Sequence, residues 1–508
     1  MTEPNRFRRQ VLLNTASTGL ANGWAMVVAL VSLPLLLSGL GPTVFGTWVL
    51  VQTFSAITGW FSLADIGLGT AATRAIAERA SLDDRTAASR ITSSALAAFA
   101  ALGLLCAGGL ALAGPALLPR LFHTPTALRH DLRLSLVLFA CQIMVDLLTE
   151  GAEACLEGLQ RVDLSRGVDA VRRTTVAVVT VIAAQTNGHL PAVAMASLAA
   201  SVVGALVAAV VLRRHLPAPV SAPALEDLRH LFAYGKTVAV LRPLGVLHRT
   251  MDRIIVGAVL GPAAVSLVEI ATQVQNGAEA ILSATAYAVV PTAAWLTARG
   301  DRKTMHELLH RGTKYSLLVT IPVGTVAAML AGPLVRIWLG RRYGEAAGLA
   351  AVALLITIIT APTQVASNLL LGVGRATDIL RAAGMAIVVN LVLSLVLVHI
   401  TGIVGVFQAT LLASIVLVPA LLRSVLRSVG SDLSSFLRDA VAPVLLPTAA
   451  LVAVTGIAVA LPLSDLPTLA VGGVLGLGAY LAFALRWSVD RNELAELRSS
   501  IGRRPAAG

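Results

Sequence analysis

Apolar residues come in blocks along this chain rather than in stripes. A helix needs about 20 largely apolar residues to cross the hydrocarbon core of a bilayer. Runs of that length recur at 11–37, 44–68, 89–113, 132–155, 167–187, 190–212, 235–260, 263–291, 315–335, 346–371, 380–400, 403–422, 440–461 and 467–486. The pattern predicts an all-α polytopic membrane protein with about 14 transmembrane helices. The connections are short, so no soluble domain is expected to interrupt the bundle.

Composition agrees: 56% of the 508 residues are hydrophobic and 13% are charged, against about 25% charged in soluble domains. The first block follows a basic head (Arg6, Arg8, Arg9) with no small-residue cleavage site, and reads as a retained signal-anchor. Cys106, Cys141 and Cys155 fall inside blocks and indicate neither a disulfide framework nor a metal site.

The formal charge of +12 raises the question of nucleic acid, and its placement answers it. With the amino end assigned to the cytoplasm, inner segments hold 28 of the 39 Lys and Arg residues and outer segments hold 6. That is the positive-inside asymmetry, with both termini cytoplasmic. The basic balance is topology, and no nucleic-acid partner is expected.

The chain also repeats itself. LGPTVFGTWVLVQ (40–52) recurs as LGPAAVSLVEIATQ (260–273), AGPALLPRLF (113–122) as AGPLVRIW (331–338), and LEGLQRVD (156–163) as LLGVGRATD (370–378). The offsets run from 214 to 220 residues and the order is kept. Six helices separate the copies, so the repeat is parallel, the arrangement of transporters that rock around a site between lobes. The expected organisation is an amino-terminal lobe at 1–212, a proline-rich cytoplasmic linker at 213–234 and a second lobe at 235–427. An appended helix pair at 428–487 and a tail at 488–508 complete it.

Ionisable residues at bilayer depth are costly and by default mark an interior path. The seventh block is the richest. Arg242 and Arg249 lie two turns apart, Arg253 continues their face, and Asp252 reaches either Arg249 or His248. Arg249 sits about 18 Å along the axis from either end, too deep for easy snorkelling. The choice is between a cationic site for an anionic ligand and an internal ion-pair network. In the fifth block Arg172 and Arg173 stand in tandem near Asp169, where anchoring and function are equally open. The fourth block carries Gln142, Asp146, Thr149 or Glu150, Glu153 and Glu157 on one face, and the eighth carries Glu269, Gln273, Asn276 and Glu279. Such faces must look at protein or water. They are read as facing the cavity between lobes, with Glu269 and Glu279 as candidates to balance the arginines. Asp65 is assigned to polar bonding at a tight Gly67–Gly69 corner. No nucleophile motif, phosphate loop or metal spacing occurs, so neither enzyme activity nor a cofactor is expected.

With these residues in view, the chain resembles the Wzx-type polysaccharide exporters and oligosaccharide flippases of the multidrug/oligosaccharidyl-lipid/polysaccharide superfamily. The resemblance rests on SLPLLLSGLGPTVFGTWVL (32–50), LADIGLGTAATRAIAE (63–78), LEGLQR (156–161), MDRIIVGAVLGPAAVSLVEIA (251–271), PTAAWLTARGD (291–301), RIWLGRRYGEAA (336–347) and LLLGVGRATD (369–378). It covers about residues 10–425 in order, and the last two blocks match less well. It implies two six-helix lobes that open alternately to each side of a bacterial cytoplasmic membrane and carry a lipid-linked oligosaccharide. By the same resemblance Arg242, Arg249 and Arg253 would hold the diphosphate, with Arg172 and Arg173 as second choices. Asp252, His248, Glu269, Glu279, Asp146, Glu150 and Glu153 would balance charge or couple an ion. The implied partners are the lipid-linked glycan and membrane lipids, with H+ or Na+ and glycan-assembly proteins as further candidates.

Three alternatives compete. A cation-coupled multidrug exporter of the same fold would rely on first-lobe acids, and the first block offers Asn14, Thr18 and Asn22 instead. A membrane glycan polymerase or ligase would need large outer loops. An inactive scaffold would gain nothing from Arg249 at mid-depth.

Overall fold

The computed structural model describes residues 3–65, 67–216, 218–219, 221–238, 242–286 and 289–489. The side chains of Asn14, Thr18 and Arg242 lie outside the described residues, as does the tail from 490 onward. The described chain is helical throughout, with no strand among the described residues. In order, the helices are α1 (Glu3–Gln52), α2 (Leu68–Ser81), α3 (Arg85–Leu121), α4 (Arg129–Gly158), α5 (Val162–Thr186) and α6 (Leu190–His215). They continue with α7 (Leu225–Val238), α8 (Arg242–Val259), α9 (Pro262–Ala286), α10 (Val289–Arg299), α11 (Arg302–Met329) and α12 (Ala331–Leu339). The series ends with α13 (Glu345–Gly372), α14 (Ala376–Thr401), α15 (Ile403–Val429), α16 (Leu433–Phe436), α17 (Ala442–Ala460) and α18 (Asp465–Phe483).

Among the described residues nine helices are long and apolar enough to cross a membrane, or ten if α11 and α12, bent by 67° at their junction, form one span. The polytopic helical fold stands, and this count does not reach the fourteen expected spans. The second expected span, 44–68, shows why the two differ. Its helix stops at Gln52, and residues 60–65 are a 3-10 turn. The Ser55 hydroxyl accepts the amides of Thr58 and Gly59, and the Thr53 hydroxyl donates to the carbonyl of Val49. These short polar side chains offer the backbone partners that a continuing helix would otherwise supply. Asp65, 2% exposed, then accepts the amide of Gly69 at 2.7 Å. Gly67, with φ +73°, takes the left-handed turn of the corner. Elsewhere hydroxyls inside apolar helices bond back to carbonyls one turn earlier, as Thr47, Thr92, Thr180 and Thr320 do. Lipid supplies no hydrogen bonds, so each such group must be satisfied within its own helix or by a neighbour.

The internal repeat reappears in the backbone. Left-handed residues occur at 41, 83, 123, 160 and 188, and again at 261, 300, 340, 374 and 402. Paired in order, they keep offsets of 214 to 220 residues, those of the sequence repeat. Side chains follow the same pairing. Asp84 caps α3 by accepting the Ala87 amide, and Asp301 caps α11 by accepting the Thr304 amide. After α4 the amide of Arg161 bonds Leu156, and after α13 that of Arg375 bonds Leu370, each arginine then pairing with an aspartate, Asp163 or Asp378.

Two compact units share the chain: residues 1–273 with 391–406, and residues 274–390 with 407 onward. In the first, α4 packs against α3 and α6, and α5 against α1 and α6. The proline-rich stretch after α6 is fastened to this unit. Arg90 pairs with Asp227 at 2.9 Å, and Ser89 and Ser94 bond the backbone at Ala218 and Ala224. In the second unit Leu296, Leu309, Leu369, Val425 and Phe436 form one apolar cluster, and Leu317, Ala361, Val444, Leu451 and Tyr480 form another. The appended pair α17 and α18 is tied in by a forked contact from Arg336 to Asp465, 2.6 Å at its shortest.

One close approach carries a prediction. Gly46 on α1 faces the start of α9 so tightly that a Cβ there would fall 1.7 Å from the Pro262 carbonyl oxygen. Gly46→Ala must push two backbones apart, and overpacking of this kind costs about 1–3 kcal/mol. A thermal melt of the purified variant is expected to fall by several degrees, whereas Gly23→Ala, in open space, should melt like the parent.

Candidate functional site

The best-defined polar cluster in the first unit joins α4, α5 and α6. On α5, Arg172 and Asp169 sit one turn apart, and their side chains meet at 2.7 Å. Arg173 grips the same carboxylate with its Nε at 2.8 and 2.9 Å. From α4, Asp146 comes within 3.8 Å of the Arg172 guanidinium, and Gln142 donates its amide to Asp146 at 3.2 Å. Arg172 is 6% exposed and Asp146 3%. From α6, Gly204 makes the room: a Cβ there would lie 2.8 Å from Cγ of Arg172. Ser197 and Ser201, one turn apart on the same helix, are fully buried beside it in sequence.

Further down α4, Glu150 and Glu153 are half-buried. Glu157, the next acid on that face, takes Arg166 and the Ser165 hydroxyl at 3.1 Å each. The fourth helix thus presents a line of carboxyls, of which Asp146 and Glu157 are met by basic residues of α5. Medium of low polarity strengthens each such contact and raises the cost of breaking it.

The structure brings part of the second candidate set together. Arg253 on α8 meets Glu269 on α9 at 2.8 Å, and Gln273 donates to the other oxygen of Glu269 at 2.9 Å. Arg249 and His248 are exposed, Asp252 is half-buried, and the side chain of Arg242 lies outside the described residues. Glu279, in the second unit, accepts from Gln275 at 2.8 Å and from the Thr357 hydroxyl at 3.3 Å. Of the acids expected to balance the arginines of α8, Glu269 does so. On the first helix Asn22 is exposed. No group of three metal-ligating side chains occurs among the described residues.

Residues 39–348, more than half of the chain, match the family described as polysaccharide biosynthesis protein. The chain belongs to this family. It is a multi-pass membrane transporter and not an enzyme. A relative from Shigella flexneri that bears the name O-antigen transporter is 24% identical over 62% of this chain and 74% of its own. One from Haloferax volcanii, named as a low-salt glycan biosynthesis flippase, is 24% identical over 38% of this chain and 40% of its own. Among solved structures, the lipid II flippase MurJ in an inward closed conformation superposes with a TM-score of 0.70 at 15% identity, over 92% of this chain and 97% of that one. An inward-facing multidrug resistance transporter of the MATE family superposes with a TM-score of 0.64 at 16% identity, over 80% and 95%. At these identities the structures establish a shared fold. They bear out the polytopic helical fold expected from the sequence.

The contribution of α6 was the part missed by reasoning from sequence. Its signal was there, in Ser197, Ser201 and Gly204 spaced at four and three along a helix otherwise made of Ala, Val and Leu. Small residues at that spacing let a neighbouring helix come close. The neighbour here is the stem of Arg172.

Removing one partner of a buried ion pair costs about 3–5 kcal/mol, because the other charge stays buried. Arg172→Leu is therefore expected to lower the yield of monodisperse protein and its melting temperature sharply. Adding Asp146→Asn should recover most of the loss, since the carboxylate left without its cation is then neutral. A single variant that melts like the parent would remove Arg172 from this structural role.

Proposed function

We propose that this protein is an alternating-access flippase that carries a lipid-linked, diphosphate-anchored oligosaccharide or polysaccharide precursor across the cytoplasmic membrane of a bacterium. The observation that carries the reading is the family match over residues 39–348. It is supported by two relatives whose names speak of O-antigen transport and of a glycan biosynthesis flippase. Both chain ends lie in the cytoplasm, as the placement of Lys and Arg argues. Its two lobes span 1–212 and 235–427 around a linker at 213–234, followed by two appended helices. Glycan-assembly proteins supply the substrate on the inner face.

A diphosphate is a multivalent anion, and arginine forks bind phosphate oxygens through paired charge-assisted bonds. The candidates differ in what is left to offer. Arg172 is buried between two carboxylates, and Arg173 is shared with Asp169. Arg253 is matched by Glu269. Arg249 is exposed on a strongly amphipathic helix whose other face is buried at Met251 and Ile255. An arginine far from the helix ends does not face acyl chains, so its guanidinium looks onto water or substrate. Arg249 is the lead contact, with Arg242 and Arg253 beside it on the helix and Asp252 and His248 moderating the charge when the site is empty. Asp146, Glu150 and Glu153 are the groups through which H+ or Na+ couples to lobe rearrangement, because their state of charge sets how α4 holds α5.

The acid-rich face of α4 also favours a second reading, a cation-coupled multidrug exporter on the same fold. Deleting the gene in its host and restoring variants separates the two. Arg249→Ala is expected to lower surface glycan about tenfold or more with protein level unchanged, since a hydrogen bond to a charged group contributes about 1.5–3 kcal/mol. Arg249→Lys, a point charge without the fork, should fall between. Full export by Arg249→Ala would overturn the role of that residue. Resistance to cationic dyes in a pump-deficient strain, with surface glycan unaffected by the deletion, would overturn the flippase assignment itself.

A further inference from the structure

The second unit holds a cavity of about 460 Å3 that the transport cycle described above does not use. Three stretches meet around it: the first half of α11, the π-helical turn Leu437–Val441 that opens α17, and the π-helical turn Ala484–Ser488 that closes α18. The charge count places all three on the cytoplasmic side. A π turn inserts one extra residue into a helix and re-aims the side chains on it. Here the first such turn contributes Arg438 and the second Arg486 and Trp487 to one cavity wall. Arg311 and Lys314 come from α11, so four permanent cations line the space against two carboxylates, Glu307 and Asp439.

The walls are held by contacts that leave Arg438 and Arg486 exposed to the cavity. His306 and His310 stack at 3.9 Å between ring centres and share the hydroxyl of Ser431, at 3.1 and 2.8 Å. His310 also meets Asp439 at 3.2 Å. The Ser488 hydroxyl donates to the Pro443 carbonyl at 2.6 Å and fastens the end of α18 to the start of α17. The result is a fixed basic hollow at the end of a helix bundle.

Its surroundings say what kind of anion fits. Each arginine on a π turn has an exposed leucine as its neighbour in the chain, Leu437 and Leu485. Trp487, 58% exposed, stacks on Phe483 at 4.9 Å on the cavity rim. Tryptophan with one apolar and one polar edge belongs at headgroup level, and basic pockets between helices at the cytoplasmic face suit phosphate-bearing headgroups. A soluble anion would need the cations and would have no use for the apolar rim.

We infer that this cavity binds the phosphodiester headgroup of an anionic phospholipid of the inner leaflet. Arg438, Arg486 and Lys314 hold the phosphate, and Trp487 lies at the start of the acyl chains. The ligand locks α17 and α18 against α11. The test uses the purified full-length protein and counts lipid adducts by native mass spectrometry while dioctanoyl phosphatidylglycerol or dioctanoyl phosphatidylcholine is titrated. The parent should bind the anionic lipid in preference, and the double variant Arg438→Gln, Arg486→Gln should bind it about tenfold or more weakly, two charge-assisted contacts being lost. Both side chains are exposed, so the fold is expected to hold, and an unchanged melting temperature without lipid checks this. Glu307→Gln, which removes an opposing charge from the wall, should tighten binding. Equal uptake of the two lipids would overturn the proposal, as would a double variant that binds phosphatidylglycerol like the parent. Competition by millimolar inorganic phosphate would identify the source as a soluble anion and overturn the assignment to lipid.

Discussion

Arg172 inside the first unit is the interaction on which that unit depends. A guanidinium this deeply buried is tolerated only with partners that replace water. Asp169 supplies one from its own helix, Asp146 one from α4, and Gly204 of α6 yields the space for its stem. Three helices are therefore fixed around one cation, with α5 held at a polar centre and not by apolar packing alone. The arrangement also limits what Arg172 can do. A cation enclosed by two carboxylates has little left to attract a phosphate, whereas a change in the charge of Asp146 alters the contact that joins α4 to α5.

Among the described residues the same division separates paired charge from exposed charge. Arg253 with Glu269 and Arg336 with Asp465 follow the first pattern, each a matched pair between helices. Arg249, Arg438 and Arg486 follow the second: exposed, on helices whose other faces are buried. A membrane protein has no free choice here, because lipid rejects both an unpaired charge and an unpaired backbone group. Exposed arginines are sustained only where water, a headgroup or a substrate meets them.

Much of this was legible in the sequence. The helices announce themselves as apolar blocks, and the repeat seen in three short motifs returns as left-handed residues at matching offsets. His123 and Gly340, one such pair, share no side-chain chemistry, which shows that the repeat lives in the backbone as much as in residue identity. Asp65 at its glycine corner was readable because both partners lie within a few residues. The break after Gln52 was not, because Ser and Thr are equally at home inside a membrane helix and at the turn that ends one. Asp169 as a partner of Arg172 was visible at a spacing of three. Asp146 was not, since nothing local says which face of α4 will meet α5.

Arg249 in the seventh block shows the same limit of locality: its exposure could not be read from the sequence. The block reads as one span over 235–260; the structure describes α7 to Val238 and α8 from Arg242, and residues 239–241 lie outside the described residues. What the structure adds is exposure: a side chain that is exposed within a membrane span and cannot face lipid must face something polar, and under the proposed function Arg249 stands where substrate charge would be met.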